Sequence, residues 1–285
     1  MKLKSPSVTV QVPATTANLG PGFDCLGVAL SLYNRITVTK SVKTESFPMA
    51  EEAAKQFFKT AKIKAFPYSL KIQGSVPISR GLGSSVTVRL GLLIGLNLLA
   101  KSPLKEEEIL ALVIALEGHP DNAVPAFFGG FACASKQSWL YQSVKPTLKF
   151  ITFIPETELE TKKARKVLPK MVPLADAVTN LQNTALITAA FCTQNYELLQ
   201  GGFEDTLHQP YRSKLLPSLV PMIESATKAG ALGGFLSGAG STMIAVTLEN
   251  PTKIIAAMTR TAKKYHPHGK ILLLKADNEG YQVLN

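Results

Sequence analysis

Between residues 77 and 100 the sequence passes from a glycine- and serine-rich run into an almost unbroken apolar stretch. The run is Pro77-Ile78-Ser79-Arg80-Gly81-Leu82-Gly83-Ser84-Ser85, and the stretch is Val86 to Ala100. So apolar a segment must be buried, and it reads as a core helix opening near Val86. It is too short to span a bilayer and carries Arg89 and Asn97. The loop that opens it is built for an anion. Glycines let backbone amides come close, and a helix N-terminus offers unpaired N–H groups at the positive end of its dipole. Ser84 and Ser85 add hydroxyls that serve as donors or metal ligands. Better-known nucleotide loops fit less well. A P-loop requires a lysine that is missing here, and Val86 stands at the last glycine position of the dinucleotide pattern. Taken alone, an ordinary turn with serine caps would give the same letters.

The rest of the chain frames this loop. Val8, Val10 and Val12 alternate with Thr9 and Gln11, which predicts a half-buried strand before the turn Asn18-Leu19-Gly20-Pro21-Gly22-Phe23-Asp24. A strand is expected at 35–40, a helix at 50–62 and a strand at 69–73. Ser102-Pro103 reads as N-cap and first-turn proline of a second helix, with Glu106, Glu107 and Glu108 near its positive end. Ile109, Val113 and Leu116 form its buried stripe and Gly118 its stop. Glu117 closes this helix, where a carboxylate opposes the dipole. If the helix folds back antiparallel, Glu117 with Ser84 or Ser85 makes a Mg²⁺ site of one or two protein ligands completed by phosphate oxygens. Strands are predicted at 130–135 and 148–154, helices at 174–193, 217–229 and 251–265, a strand–turn–strand at 234–246, and a last strand or hairpin. Strands and helices mix without strict βαβ alternation, which predicts α+β. A division into residues 1–154 and 155–285 is expected, though no flexible linker marks it.

Composition excludes some classes. The 285 residues carry 31 Lys+Arg against 20 Asp+Glu, a net charge of +11 that favours anionic partners. The basic residues are scattered and lack interleaved aromatics, so neither nucleic acid nor a membrane surface is the expected partner. Cys25, Cys133 and Cys192 are odd in number, far apart and in no CxxC arrangement. This fits a reducing compartment and predicts small buried side chains rather than disulfides or zinc ligands. The first residues have no apolar core of signal-peptide length, so a soluble cytoplasmic protein is expected.

Three runs together resemble the GHMP small-molecule kinases: Pro13 to Asp24, Pro77 to Ser85, and Gly233-Gly234-Phe235-Leu236-Ser237-Gly238-Ala239-Gly240. The first run, with Glu117-Gly118-His119-Pro120-Asp121-Asn122, Thr161 to Pro169 and Leu207-His208-Gln209-Pro210-Tyr211-Arg212, is similar to the branch of that family acting on homoserine. The likeness covers nearly the whole chain. It implies a phosphate-binding βαβ crossover in the N-terminal domain, a ferredoxin-like C-terminal domain, and an active site between them. It implies an ATP- and Mg²⁺-dependent transferase that phosphorylates L-homoserine in threonine biosynthesis, and a homodimer.

The resemblance also implies roles. Pro77, Ile78, Ser79, Arg80, Gly81, Leu82, Gly83, Ser84, Ser85, Val86 and Thr87 would hold ATP, with Ser84, Ser85 and Glu117 near Mg²⁺. Arg165 and Arg212 would grip the substrate carboxylate, a task that suits arginine's planar fork. Asp24 and Asp121 would balance its ammonium. Asn18, His119, Asn122 and Thr161 would orient the remaining polar groups, and Gly238 would line the substrate region. Asp24, Ser84, Glu117 and Arg165 are the catalytic candidates. Each has a plainer alternative: Asn18 and Asp24 as turn residues, His119 as a core histidine, the arginines as surface charges. The chain departs from the family at Val86-Thr87-Val88-Arg89, where small residues are common, at Asn183 and Ser241, and in having no clear adenine-side segment. Another GHMP-type kinase, a catalytically silent nucleotide sensor and a basic nucleic-acid-binding module remain the competing readings.

Overall fold

The valine alternation at 8–12 does form a strand, and the strand runs further than the alternation. In the computed structural model, which describes residues 6–266 and 268–284, β1 (Ser7–Ala17) continues through Pro13 by a break in register at Pro13/Ala14. Its second half is buried on both faces, so the two-residue period disappears there. The elements that follow are β2 (Leu26–Lys40), α1 (Pro48–Thr60), β3 (Tyr68–Gly74), α2 (Ser84–Leu99), α3 (Glu106–Glu117), α4 (Ala123–Phe128), β4 (Phe131–Ala134) and β5 (Trp139–Gln142). After these come β6 (Lys149–Ile154), α5 (Thr161–Lys166), α6 (Leu174–Thr193), a 3₁₀ turn (Tyr196–Leu199), α7 (Gln209–Arg212) and α8 (Leu219–Lys228). The chain closes with β7 (Gly233–Leu236), β8 (Met243–Thr247), α9 (Pro251–Tyr265), β9 (Lys270–Leu274) and β10 (Gln282–Leu284).

Two antiparallel sheets result. The first has the order β10-β1-β2-β4-β5, with β3 pairing on the same long β2. Both β3 and β4 run antiparallel to β2, so the connection through α2, α3 and α4 joins two parallel strands. This is the expected crossover, with the glycine loop at its start. The second sheet has the order β7-β8-β6-β9. With helices after β6 and β8, that is the ferredoxin-like βαββαβ order. The final pair is no hairpin, since β9 closes the second sheet and β10 returns to β1.

The helices α1 to α4 cover one face of the first sheet around Val10, Val12, Ile36, Val38, Leu90 and Leu93. Gly91 and Gly95 lie against Ile36 and Val38, where a Cβ would come within 2.5 Å of each side chain. Glycine normally weakens a helix by about 1 kcal/mol, and here it lets α2 sit directly on β2. A second core fills the space between sheets, around Phe131, Phe150, Phe191 and Phe235. A third lies under α8 and α9.

Two local expectations fail. Helix α3 starts at Glu106 with Lys105 as N-cap, and the Lys105 N–H donates to Glu108 Oε2 at 2.9 Å. Ser102 lies in the left-handed region instead (φ 56°), leaving the preceding turn by another route. The cysteines are not uniformly buried. Cys192 is exposed, while Cys25 and Cys133 are half-buried with their sulfurs 3.7 Å apart as free thiols. Strand pairing of Leu26 with Cys133 creates that proximity.

Candidate active site

The glycine loop is held from both sides. Thr15 N–H donates to Leu82 O at 3.2 Å, and Thr242 N–H donates to Arg80 O at 3.1 Å. Gly81 has φ +75°, and a Cβ there would lie 2.1 Å from Ser237 O, so only glycine fits between the loop and the turn after β7. Helix α2 begins at Ser84 and has no side-chain cap, which leaves its first N–H groups free at its positive end. Ile78, Ser79, Arg80, Gly81, Gly83, Ser84 and Ser85 line a cleft of about 640 Å³ between the sheets. Leu82, Val86 and Thr87 turn their side chains into the core instead, and Pro77 does not line the cleft. Arg80 spends its guanidinium on Pro155 O and Ile78 O, both at 2.9 Å, and on Glu158 at 3.1 Å, so it fastens the loop to the strand-following segment.

Helix α3 does fold back. Its last carboxylate, Glu117, accepts Ser85 Oγ–H at 2.9 Å on Oε2 and Arg89 at 2.6 Å on Oε1. Ser84 lines the cleft beside them. A carboxylate and two hydroxyls at a helix N-terminus form an all-oxygen donor set suited to Mg²⁺ with phosphate oxygens.

The other end of the cleft is built around the turn after β1. Asn18 (φ 72°) and Asp24 (φ 56°) occupy the left-handed region, which their short polar side chains tolerate. Asn18 is also a joint: its Nδ2 donates to Gly238 O at 2.9 Å and its Oδ1 accepts the Asp24 N–H at 3.0 Å. Asp24 then receives both terminal nitrogens of Arg165, at 2.6 and 3.0 Å. His119 Nδ1 meets Asp121 at 2.6 Å, and Asn122 accepts the Thr15 hydroxyl at 2.6 Å. Burial pushes His119 down, but the hydrogen bond and charge of Asp121, with Asp24 nearby, outweigh it and its pKa is raised. Asp24, His119 and Asp121 present ligand atoms within 4.8 Å of one another. Thr161 lines the same space from the start of α5.

Arg212 lies at the bottom and is 1% exposed. It donates to Gly238 O at 2.9 Å, Ala164 O at 3.3 Å and His208 Nδ1 at 3.1 Å. Among the described residues no carboxylate pairs with it, and burial with Arg165 nearby lowers its pKa to about 10. Its neighbour His208 is one of the residues that sequence reasoning left out of the site. Burial, chiefly, pushes His208 down to about 4, so it is neutral. Its Nε2–H donates to Gly20 O at 2.8 Å, which leaves Nδ1 free to accept from Arg212. Phe23 stacks on His208 with ring centroids 5.2 Å apart and lies under both Arg165 and Arg212. His208 stood in a run already singled out, but its use needed the fold. Phe47, Met49, Ile72 and Val88 give the phosphate end of the cleft an apolar wall that no sequence signal had marked.

A helix N-terminus without a side-chain cap, a carboxylate that comes back to it, and a pocket of acids and arginines share one cleft. The GHMP kinase N-terminal domain model matches residues 48–130 and the GHMP kinase C-terminal model matches residues 187–264. The chain belongs to the GHMP kinase family. It is 39% identical over 303 residues to the homoserine kinase of Caldicellulosiruptor bescii, covering 98% of this chain and 97% of that one. It is 40% identical over 294 residues to the homoserine kinase of Aquifex aeolicus, covering 97% and 99%. In structure it is similar to the homoserine kinase of Cytophaga hutchinsonii, with a TM-score of 0.87 at 23% identity over 100% and 99% of the two chains.

Proposed function

We infer that this protein transfers the γ-phosphoryl group of ATP to the side-chain hydroxyl of L-homoserine. One observation carries the substrate: Arg212 is a buried cation that faces the cleft with no carboxylate of its own among the described residues. A buried charge left unpaired is costly, and the carboxylate of an amino acid compensates it with charge-assisted hydrogen bonds. Arg165 flanks that carboxylate, and Asp24 and Asp121, already paired with Arg165 and His119 but with carboxylate lone pairs to spare, receive the ammonium. A sugar or a plain alcohol has no use for this combination.

Phosphoryl transfer calls for in-line placement and charge stabilisation. The free amides at the start of α2 hold the phosphates, and Phe47, Met49, Ile72 and Val88 receive the apolar faces of the base. Ser84, Ser85 and Glu117 fit Mg²⁺, which when bound neutralises charge on the phosphates. The homoserine oxygen bonds to the γ-phosphorus as the bond to the bridging oxygen breaks, ADP leaves with that electron pair, and the hydroxyl proton passes to a phosphate oxygen. Both oxygens of Asp24 are engaged by Arg165, which supports direct attack over base catalysis. Residues 1–154 supply the phosphate side and residues 155–285 most of the carboxylate side, with β6 built into the second sheet.

Release of ADP from Mg-ATP, measured with homoserine, mevalonate, galactose and shikimate, tests this. Turnover selective for homoserine is expected. Selective turnover of another alcohol keeps the kinase and refutes the substrate, and nucleotide binding without any turnover leaves a sensor.

A further inference from the structure

Arg89 is the departure from the family pattern that the reaction does not explain. It lies one turn after Ser85 on α2, so the two side chains share a face and both reach Glu117. Between them they occupy both carboxylate oxygens, Ser85 at 2.9 Å and Arg89 at 2.6 Å. The pair is secluded, with side-chain exposures of 14% for Arg89 and 8% for Glu117. The guanidinium is poorly served otherwise. Among the described residues its buried Nε has no partner, and its other terminal nitrogen reaches only the exposed Glu52 at 3.8 Å. A guanidinium held at this disadvantage is placed for Glu117, whose negative charge sits against the negative end of α3.

We propose that Arg89 is a positioning residue that keeps Glu117 neutralised and closed to divalent cations until nucleotide phosphates occupy the loop. The inference rests on the reading of Glu117 as the metal-site carboxylate. In the nucleotide-free protein a cation approaching Glu117 meets a carboxylate whose charge is already spent and a fixed positive charge within hydrogen-bonding distance of it. Phosphates at the α2 N-terminus reverse the balance, because they bring several negative charges and their own oxygen ligands. The metal therefore enters with the nucleotide, and Arg89 holds the carboxylate in place for it.

The probe is Mn²⁺, followed by the loss of its free-ion electron paramagnetic resonance signal, with full-length protein and no nucleotide. Wild type is expected to bind Mn²⁺ at this site at least tenfold more weakly than Arg89→Met. Arg89→Lys keeps the wild-type behaviour, and Arg89→Met combined with Glu117→Gln loses the gain. Arg89→Gln stands in if Arg89→Met does not fold, as judged by circular dichroism and metal-free nucleotide binding. Equal Mn²⁺ binding by wild type and the neutral variants overturns the proposal. A separate titration with a non-hydrolysable ATP analogue isolates the underlying reading. If Glu117→Gln leaves Mn²⁺–nucleotide binding unchanged, Glu117 is not the metal carboxylate. If it weakens that binding while Arg89→Met creates no nucleotide-free site, only the role of Arg89 fails.

Discussion

Arg212 and His208 are a buried pair with a structural task and, in the proposed function, a substrate-binding one. His208 is neutral because burial disfavours its charged form, and the neutral ring offers Nδ1 to Arg212 while Nε2–H holds Gly20 O. Replacing Arg212 by Met removes what is, among the described residues, the only buried cation facing the cleft from the second sheet's side. Hydrogen bonds to charged groups contribute about 1.5–3 kcal/mol, so kcat/KM for homoserine should fall at least tenfold. KM for ATP should change much less, and steady-state kinetics varying each substrate checks the split. The pH dependence of stability has a definite sign. His208 has a folded pKa of about 4 against an ordinary value of 6.5, so the unfolded chain binds more protons between them. Its contribution is full above pH 6.5 and is lost as pH falls towards 4. His119 acts in the opposite sense, since its raised pKa makes its contribution fade as pH rises past the ordinary value. Melting temperature measured against pH should therefore drop on the acid side, and His208→Asn should flatten that limb at a lower plateau. An unchanged acid limb in that variant would refute the assignment.

Among the elements, the glycine loop matters as a joint between sheets as much as the proposed phosphate cradle. Its glycines answer two needs that coincide in sequence, since Gly81 has a left-handed backbone and presses on Ser237 O. Gly81→Ala should cost about 1–2 kcal/mol in backbone strain alone and displace the turn that carries Gly238. The expected result is a lower melting temperature with raised KM for both substrates, because Gly238 O anchors Asn18 and Arg212 alike. A change confined to ATP would show that the loop and the turn act independently. The ends of α6 and α9 fall where the sequence predicts them, with Pro173 at the N-cap of the one and Pro251 opening the other, because proline acts locally. The start of α3 does not, because Lys105 and Glu108 supplied a better N-terminus than Ser102-Pro103.

For the whole molecule, the proposed substrate cleft is lined from both sheets' sides, so ligand binding should stabilise both together. At ligand concentrations one hundred times Kd the gain is about 2.7 kcal/mol. Nucleotide and homoserine together should raise the melting temperature by about 5 °C or more, in one transition followed by scanning calorimetry. Two separately shifted transitions would show that the sheets respond independently. The sequence by itself determined the α+β class, the loop before α2, Glu117 as a candidate partner for that loop, and most of the polar residues that meet in the cleft. These were legible because short runs such as Asn18 to Asp24 and Glu117 to Asn122 combine turn chemistry with functional groups in a local pattern. Only the tertiary structure decided which charges are free. Asp24 is paired with Arg165, Asp121 with His119, and Arg80 is tied to the strand-following segment, while among the described residues Arg212 is left without a carboxylate. It also decided the roles of His208, Phe23 and the wall of Phe47 and Ile72, the pairing of Cys25 with Cys133, and the contact of Arg89 with Glu117. Each of these depends on partners far apart in the chain, and the energy of a charge or an apolar face is set by what the fold brings against it.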